Sequence, residues 1–254
     1  MNLDSLMVIH RAVGYAFAFV VAPVALATFA GAPGHVRTGR AYFWLMVFLY
    51  ATGSVVTLTQ HDWGTWGFAR NVAFNLTGFS FVLVGVRAMV LFRREGSVQP
   101  GRIDAALAGL LVACASALLI LGLFRDTPVR VFAGLTWVLV WLELRELSAG
   151  FRPRALLYRR HVRYILASYF YVLTVASIVH LGDELSRDLK WLWPAAIGTF
   201  VVWAATTRAA VLNRRRLLRA AVALTITLAV GFGGYAIWET FQELAGGPSV
   251  TREP

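Results

Sequence analysis

The residues best suited to chemistry in this chain are its five histidines and the carboxylates that follow two of them. A neutral imidazole is a good ligand for copper, zinc, iron or haem iron. His61 is followed by Asp62, and His180 by Asp183 and Glu184. A carboxylate so placed can orient a ligating imidazole through its second nitrogen, or bind the metal itself. Small residues stand one turn away: Gly14 after His10, Thr57 before His61 and Ala176 before His180. They would leave room for a flat macrocycle or a quinone head against the helix. No compact motif such as His-x-x-x-His, His-Glu-x-x-His or Cys-x-x-Cys-His accompanies them. Interfacial hydrogen bonding to a carbonyl or lipid phosphate, or a place on a proton or substrate pathway, therefore stays open for these histidines.

The elements that must position these groups are membrane spans. Of 254 residues 58% are hydrophobic and only 15% charged, against about 45–50% and 25% in soluble domains. Mean hydropathy is +0.65, more apolar surface than one soluble core can hide. Runs of about 20 apolar residues match the bilayer's hydrocarbon thickness. Backbone groups at that depth have no water to bond, so the spans must be helices. The expected fold is an all-α polytopic bundle forming a single membrane domain over 1–254. Eight segments are expected, at roughly 8–30, 41–60, 72–92, 104–124, 129–147, 161–181, 191–211 and 217–238. The fifth is the shortest clean run. A soluble α/β enzyme and a disulfide scaffold are excluded. Cys114 stands alone, so no disulfide or cysteine-based metal site forms within one chain. The N-terminal stretch lacks the basic residues of a signal peptide, so its apolar run is expected to remain as a span.

Basic residues sort by side. Arg37, Arg40, Arg93, Arg94, Arg102, Arg145, Arg152, Arg154, Arg159, Arg160, Arg163, Arg214, Arg215, Arg216 and Arg219 follow spans one, three, five and seven. Arg11, Arg70, Arg125, Arg130, Arg187, Lys190 and Arg252 fall on the other side. The positive-inside rule then puts both termini outside the cytoplasm of a bacterial inner membrane. The net charge of +11 is topological in origin and gives no reason to expect nucleic acid. The basic loop 145–163 reads as a topology determinant that also meets anionic headgroups. Trp63, Trp66, Trp191, Trp193 and Trp238 would form an outer aromatic belt. His10, His61 and His180 share the outer side, while His35 and His161 lie at the cytoplasmic interface. Arg87 and Arg208 would snorkel, or pair with Glu143 or Glu146. Gly231, Gly233 and Gly234 would serve close helix packing.

A shift of 119 residues brings Arg11 onto Arg130, Arg40 onto Arg159, Tyr50 onto Tyr169 and His61 onto His180. Two residues of slip bring Arg87, Arg93 and Arg94 onto Arg208, Arg214 and Arg215. The matches fit a four-plus-four parallel repeat with halves 1–124 and 125–254, or a coincidence among abundant arginines.

His10, Gly14, Pro23 and the run His35-x-x-x-Gly39-Arg40-x-Tyr42 resemble an uncharacterised bacterial family of predicted integral membrane proteins. That family carries His-Arg-x-x-Gly-Arg-x-Tyr between its first two spans. Here Val36 takes the arginine's place and Arg37 follows it. The resemblance covers about a third of the chain and implies a membrane module without supplying a reaction. Histidines at helix ends also offer a looser likeness to multi-helix cytochrome b-type proteins.

The leading specific expectation is a histidine-ligated redox site near the outer face, built from His61 and His180 with His10. As haem b it would use two of these as axial ligands and pass electrons, with quinone as a partner. As a bare transition metal it would draw on His10, His61, His180, Asp62 and Asp183. The alternatives are an accessory or assembly subunit packed on other membrane subunits, and a small-molecule or ion transporter. Pro23 and Pro194, the two prolines within or at the edge of spans, do not correspond under the repeat, which weighs against transport.

Overall fold

The computed structural model describes residues 3–27, 33–60, 65–94, 98–125, 127–150, 153–180 and 187–206, with two isolated positions at 223 and 227. All regular elements among them are helical. They are α1 (Leu3–Ala16), a π-helical turn (Phe17–Val21), α2 (Ala22–Ala27), α3 (Pro33–Gln60), α4 (Trp66–Phe92), α5 (Arg102–Arg125), α6 (Thr127–Ser148), α7 (Arg154–His180) and α8 (Arg187–Thr206). Because α1, the π-turn and α2 run on without a break, the described chain forms seven helical segments. Five are long and apolar enough to cross a membrane: Ser5–Ala25, Gly34–Thr59, Trp66–Phe92, Arg102–Leu123 and Arg154–Ile178.

Composition explains why α6 falls short: it carries Arg130, Glu143, Arg145 and Glu146 within its 22 residues. The apolar stretch of α8 is described from Leu192 to Thr206, and the rest of the expected segment, 207–211, lies outside the described residues. The expected eighth segment, 217–238, lies outside the described residues, as do Gly231, Gly233, Gly234, Trp63, Trp238 and Arg208.

The break in the first segment follows from Pro23. Proline donates no N–H and its ring clashes with the carbonyl four residues earlier. The chain loosens into a π-turn just before it, with the Ala22 N–H bonding to the Phe17 carbonyl. Ala18 then has no backbone donor, because residue 22 is committed and residue 23 is proline. The Tyr169 hydroxyl of α7 supplies one, donating to the Ala18 carbonyl at 3.2 Å. A local defect in one helix thus fixes its docking on another.

Side-chain contacts set the helix directions. His10, Gly14 and Phe17 meet Thr52, Leu49 and Tyr42 in turn, so the first segment runs antiparallel to α3. Gly78 meets Tyr171 and Gly85 meets Ile165, so α4 runs antiparallel to α7. With α3 and α4 joined end to end, the C-terminal ends of α3 and α7 share one face of the bundle. That face carries His10, and the opposite one is rich in arginine. Glycine makes the central crossings possible. A Cβ on Gly78 would fall 2.2 Å from the Tyr50 hydroxyl and 2.9 Å from the Tyr171 ring. One on Gly198 of α8 would fall 2.6 Å from the Phe170 ring.

Two apolar clusters result. One joins α4 to α8 around Phe74, Phe81, Leu111, Leu118, Phe132, Val140 and Tyr164. The other packs the first segment and α3 on α7 around Phe17, Met46, Tyr169 and Phe170. The hairpins α3–α4 and α7–α8 share features: Tyr50 over Gly78 and Phe170 over Gly198, a Thr57–Asn75 bond and a Ser177–Trp193 bond. Tyr50 thus corresponds to Phe170 and not to Tyr169, one residue off the expected shift. The surroundings of the two hairpins differ. α4 packs extensively on α7, and no comparable packing joins α8 to α3 among the described residues.

Two boundaries need correction. The run His35–Tyr42 lies within the first turns of α3, where an inter-span loop was expected. α7 begins at Arg154, so Arg159, Arg160 and Arg163 are helical and not part of a loop. Trp66 and Trp193 stand in the opening turns of α4 and α8 at the histidine-bearing end. Among the described residues the most exposed tryptophans are others, Trp44, Trp141 and Trp203.

Candidate functional site

At the histidine-bearing end, His10 of α1 is held by α3. Its Nδ1 lies 2.7 Å from the Thr52 hydroxyl oxygen. That hydroxyl also lies 2.8 Å from the Phe48 carbonyl oxygen. A hydroxyl carries one proton, which goes either to such a carbonyl or to Nδ1. In the first case Nδ1–H donates to Thr52 and Nε2 keeps its lone pair, the form in which histidine ligates a metal, oriented through its other nitrogen. The imidazole edge and the Asn75 amide both lie against Gly53, where a Cβ would stand 3.5 Å from His10 Cε1 and 3.4 Å from Asn75 Oδ1. Thr57, one turn on, donates to the Gly53 carbonyl at 2.9 Å and accepts from Asn75 Nδ2 at 3.5 Å. In the second hairpin the Trp193 indole donates to the Ser177 hydroxyl at 2.8 Å.

His180 is the last residue of α7 and His61 follows the last residue of α3. His61, Asp62, Asp183 and Glu184 lie outside the described residues, and so does the side chain of His180. His10 is level with Thr52, eight residues before Gln60, or about 12 Å of helix. It thus stands deeper than the point where α3 ends. Among the described residues no group of three or more His, Cys, Asp and Glu side chains is placed to hold a metal ion.

At the opposite end His161 bonds a carbonyl, as the interfacial reading allows. Its Nδ1 donates to the Gly85 carbonyl of α4 at 2.9 Å, which ties α7 to α4. His35 of α3 and Arg93 are its electrostatic neighbours.

The arginine-rich end holds what sequence reasoning missed. Arg160 is fully buried and bonds two carboxylates. Its Nε donates to Glu143 Oε2 at 2.8 Å and its Nη2 to Glu143 Oε1, while Nη1 donates to Asp104 Oδ1 at 3.2 Å. Asp104 Oδ2 accepts from Arg87 Nη2 and from the Gly101 N–H, each at 3.1 Å. One turn along, Arg163 Nη2 donates to Glu146 Oε1 at 2.8 Å. Arg87 thus pairs with Asp104, and Glu143 and Glu146, expected as its partners, take Arg160 and Arg163. The reason is reach. Asp104 opens α5, directly beside the last turns of α4, while Glu143 and Glu146 face α7. The signal was present in the sequence, since Glu143 and Glu146 repeat the three-residue spacing of Arg160 and Arg163.

Between the two ends, the hydroxyls of Tyr50 and Tyr171 and the Trp137 indole N–H are buried with no hydrogen-bond partner among the described residues. Phe74, Phe81 and Phe132 rings surround Tyr171. The middle of the bundle is therefore a packed aromatic core.

No family model, curated protein or solved structure matches the chain.

Proposed function

We propose that the chain is a multi-pass inner-membrane protein with both termini outside the cytoplasm. It carries a histidine-ligated redox group, drawn from His10, His61 and His180, at the end of the bundle that holds His10 and the C-terminal ends of α3 and α7. The observation that carries this reading is the hydrogen bond by which the Thr52 hydroxyl orients His10 through Nδ1 at 2.7 Å. With the proton on Nδ1, the Nε2 lone pair would be left for a ligand. The offset of about 12 Å between His10 and the end of α3 weighs against three imidazoles around one small ion and favours a larger group such as haem. Two of His10, His61 and His180 would hold the iron, and Asp62 or Asp183 would orient a ligand. Bound there, haem supplies one-electron transfer, with quinone as a fitting partner. The chain's own part is to fix the imidazoles and exclude water. The reading also takes 217–238 as a further span and the two hairpins as copies of one unit.

The test is an absorption spectrum and metal analysis of the protein purified in mild detergent from haem-replete cells. A Soret band that shifts on reduction is expected. A colourless, metal-free protein that remains folded overturns the proposal and leaves the accessory-subunit reading in front.

A further inference from the structure

We propose that Arg93, Arg94 and Arg154 bind the phosphate of an anionic phospholipid in the leaflet that meets the arginine-rich end of the bundle.

Three chain segments converge there. Arg93 and Arg94 close α4, Arg154 opens α7, and Arg154 Nη2 donates to the Arg94 carbonyl at 3.2 Å. Beneath them Leu91, Val98 and Leu157 form a small buried cluster, and the rings of Phe92 and Tyr158 meet at 6.1 Å. The cluster is therefore anchored rather than carried on loose side chains. All three arginines are exposed, and none forms an ion pair among the described residues.

The described carboxylates at this end are committed. Asp104 is held by Arg87 and Arg160, Glu143 by Arg160 and Glu146 by Arg163. Arg93 and Arg94 are neighbours in the chain and the Arg154 guanidinium rests on the Arg94 carbonyl, so three positive charges share one corner of the bundle, and an anion there relieves their repulsion. A phosphate offers the acceptor oxygens that several guanidinium forks can share. The surroundings select a lipid. Val90, one turn toward the membrane from Arg94, and Ile103, beside α4 on α5, are exposed apolar side chains. Acyl chains lying on them would place their own headgroup at the arginines. An arginine near a membrane surface contributes about 1 kcal/mol to such binding, or roughly fivefold in affinity.

The experiment titrates the full chain, in a neutral detergent, with dioleoylphosphatidylglycerol and follows the thermal midpoint and the number of lipid adducts by native mass spectrometry. Separate arms use dioleoylphosphatidylcholine and inorganic phosphate. The wild type is expected to gain a saturable adduct and a higher midpoint with phosphatidylglycerol only. The variant Arg93→Gln/Arg94→Gln/Arg154→Gln should bind on the order of 100-fold more weakly. If that variant does not fold, Arg93→Gln/Arg94→Gln leaves the Arg154 anchor in place and should lose roughly 25-fold. Arg37→Gln/Arg40→Gln, exposed positions on α3 at the same end, should bind as wild type. Equal loss in that control would reduce the effect to diffuse charge. An equal response to inorganic phosphate would make the ligand a free anion, and an unchanged triple variant would remove the site. Each of those outcomes overturns the proposal.

Discussion

The two ends of the bundle solve the problem of polar groups at membrane depth in different ways. At the arginine-rich end Arg87, Asp104, Glu143, Arg160, Glu146 and Arg163 come from four helices and pair three charges with three. At the histidine-bearing end the polar pairs between helices are neutral: His10 on Thr52, and Asn75 on Thr57. Charges taken from water must find charges, so the first end ties four helices together, while Arg87 Nε, Arg163 Nη1 and Glu146 Oε2 there have no hydrogen-bond partner among the described residues. Neutral groups need less, so the second end can hold a ring nitrogen open. The difference separates a structural staple from a site with capacity to spare.

If the staple is structural, the largest effect should come from breaking it. Arg160→Met removes the guanidinium that bonds both Glu143 and Asp104, and removing one member of a buried pair costs about 3–5 kcal/mol. A fall in thermal midpoint, or loss of folded protein in mild detergent, is expected. A stable Arg160→Met protein would show that the network is wetter and weaker than its burial implies.

The central crossing comes next. Gly78→Ala forces a methyl against the Tyr50 hydroxyl and the Tyr171 ring, and overpacking of this kind costs about 1–3 kcal/mol. Gly134→Ala on α6, where nothing lies within 4 Å of the added Cβ, should be neutral or slightly stabilising. Denaturation midpoints of the two variants give the contrast directly.

Tyr169→Phe should cost about 1 kcal/mol, since it leaves the Ala18 carbonyl of the π-turn without a donor. Pro23→Ala restores an N–H to that turn, so the hydroxyl should matter less in its background. A double-mutant cycle with no coupling between the two positions would refute the link between proline, π-turn and tyrosine.

Smallest of all in stability should be Thr52→Val at the histidine-bearing end, at ~1 kcal/mol or less. Its effect should fall on whatever His10 binds, because the ring loses the partner that orients it.

Apolar length made most helices legible in advance. The expected 104–124 and 129–147 are Arg102–Arg125 and Thr127–Ser148. It failed where a helix outruns its apolar stretch. α3 starts eight residues before the expected 41, and α7 seven before the expected 161. Hydropathy reports where water begins, whereas a helix continues for as long as its side chains find partners. The arginines of α7 find them in Glu143 and Glu146, so a stretch that reads as a basic loop is buried helix. The candidate site was legible only as residue types. Which hydroxyl would hold His10 depends on the pairing of α1 with α3, and Thr52 lies 42 residues away with no local signal.

The central claim is that the histidine-bearing end holds a redox group on imidazoles. Its most direct measurement compares reduced-minus-oxidised absorption spectra and metal content of the wild type with His10→Ala, His61→Ala, His180→Ala and His35→Ala. The account predicts a haem spectrum in the wild type and in His35→Ala, and its loss in at least two of the other three. A spectrum unchanged in all three, or a folded wild type carrying neither haem nor metal, would contradict it.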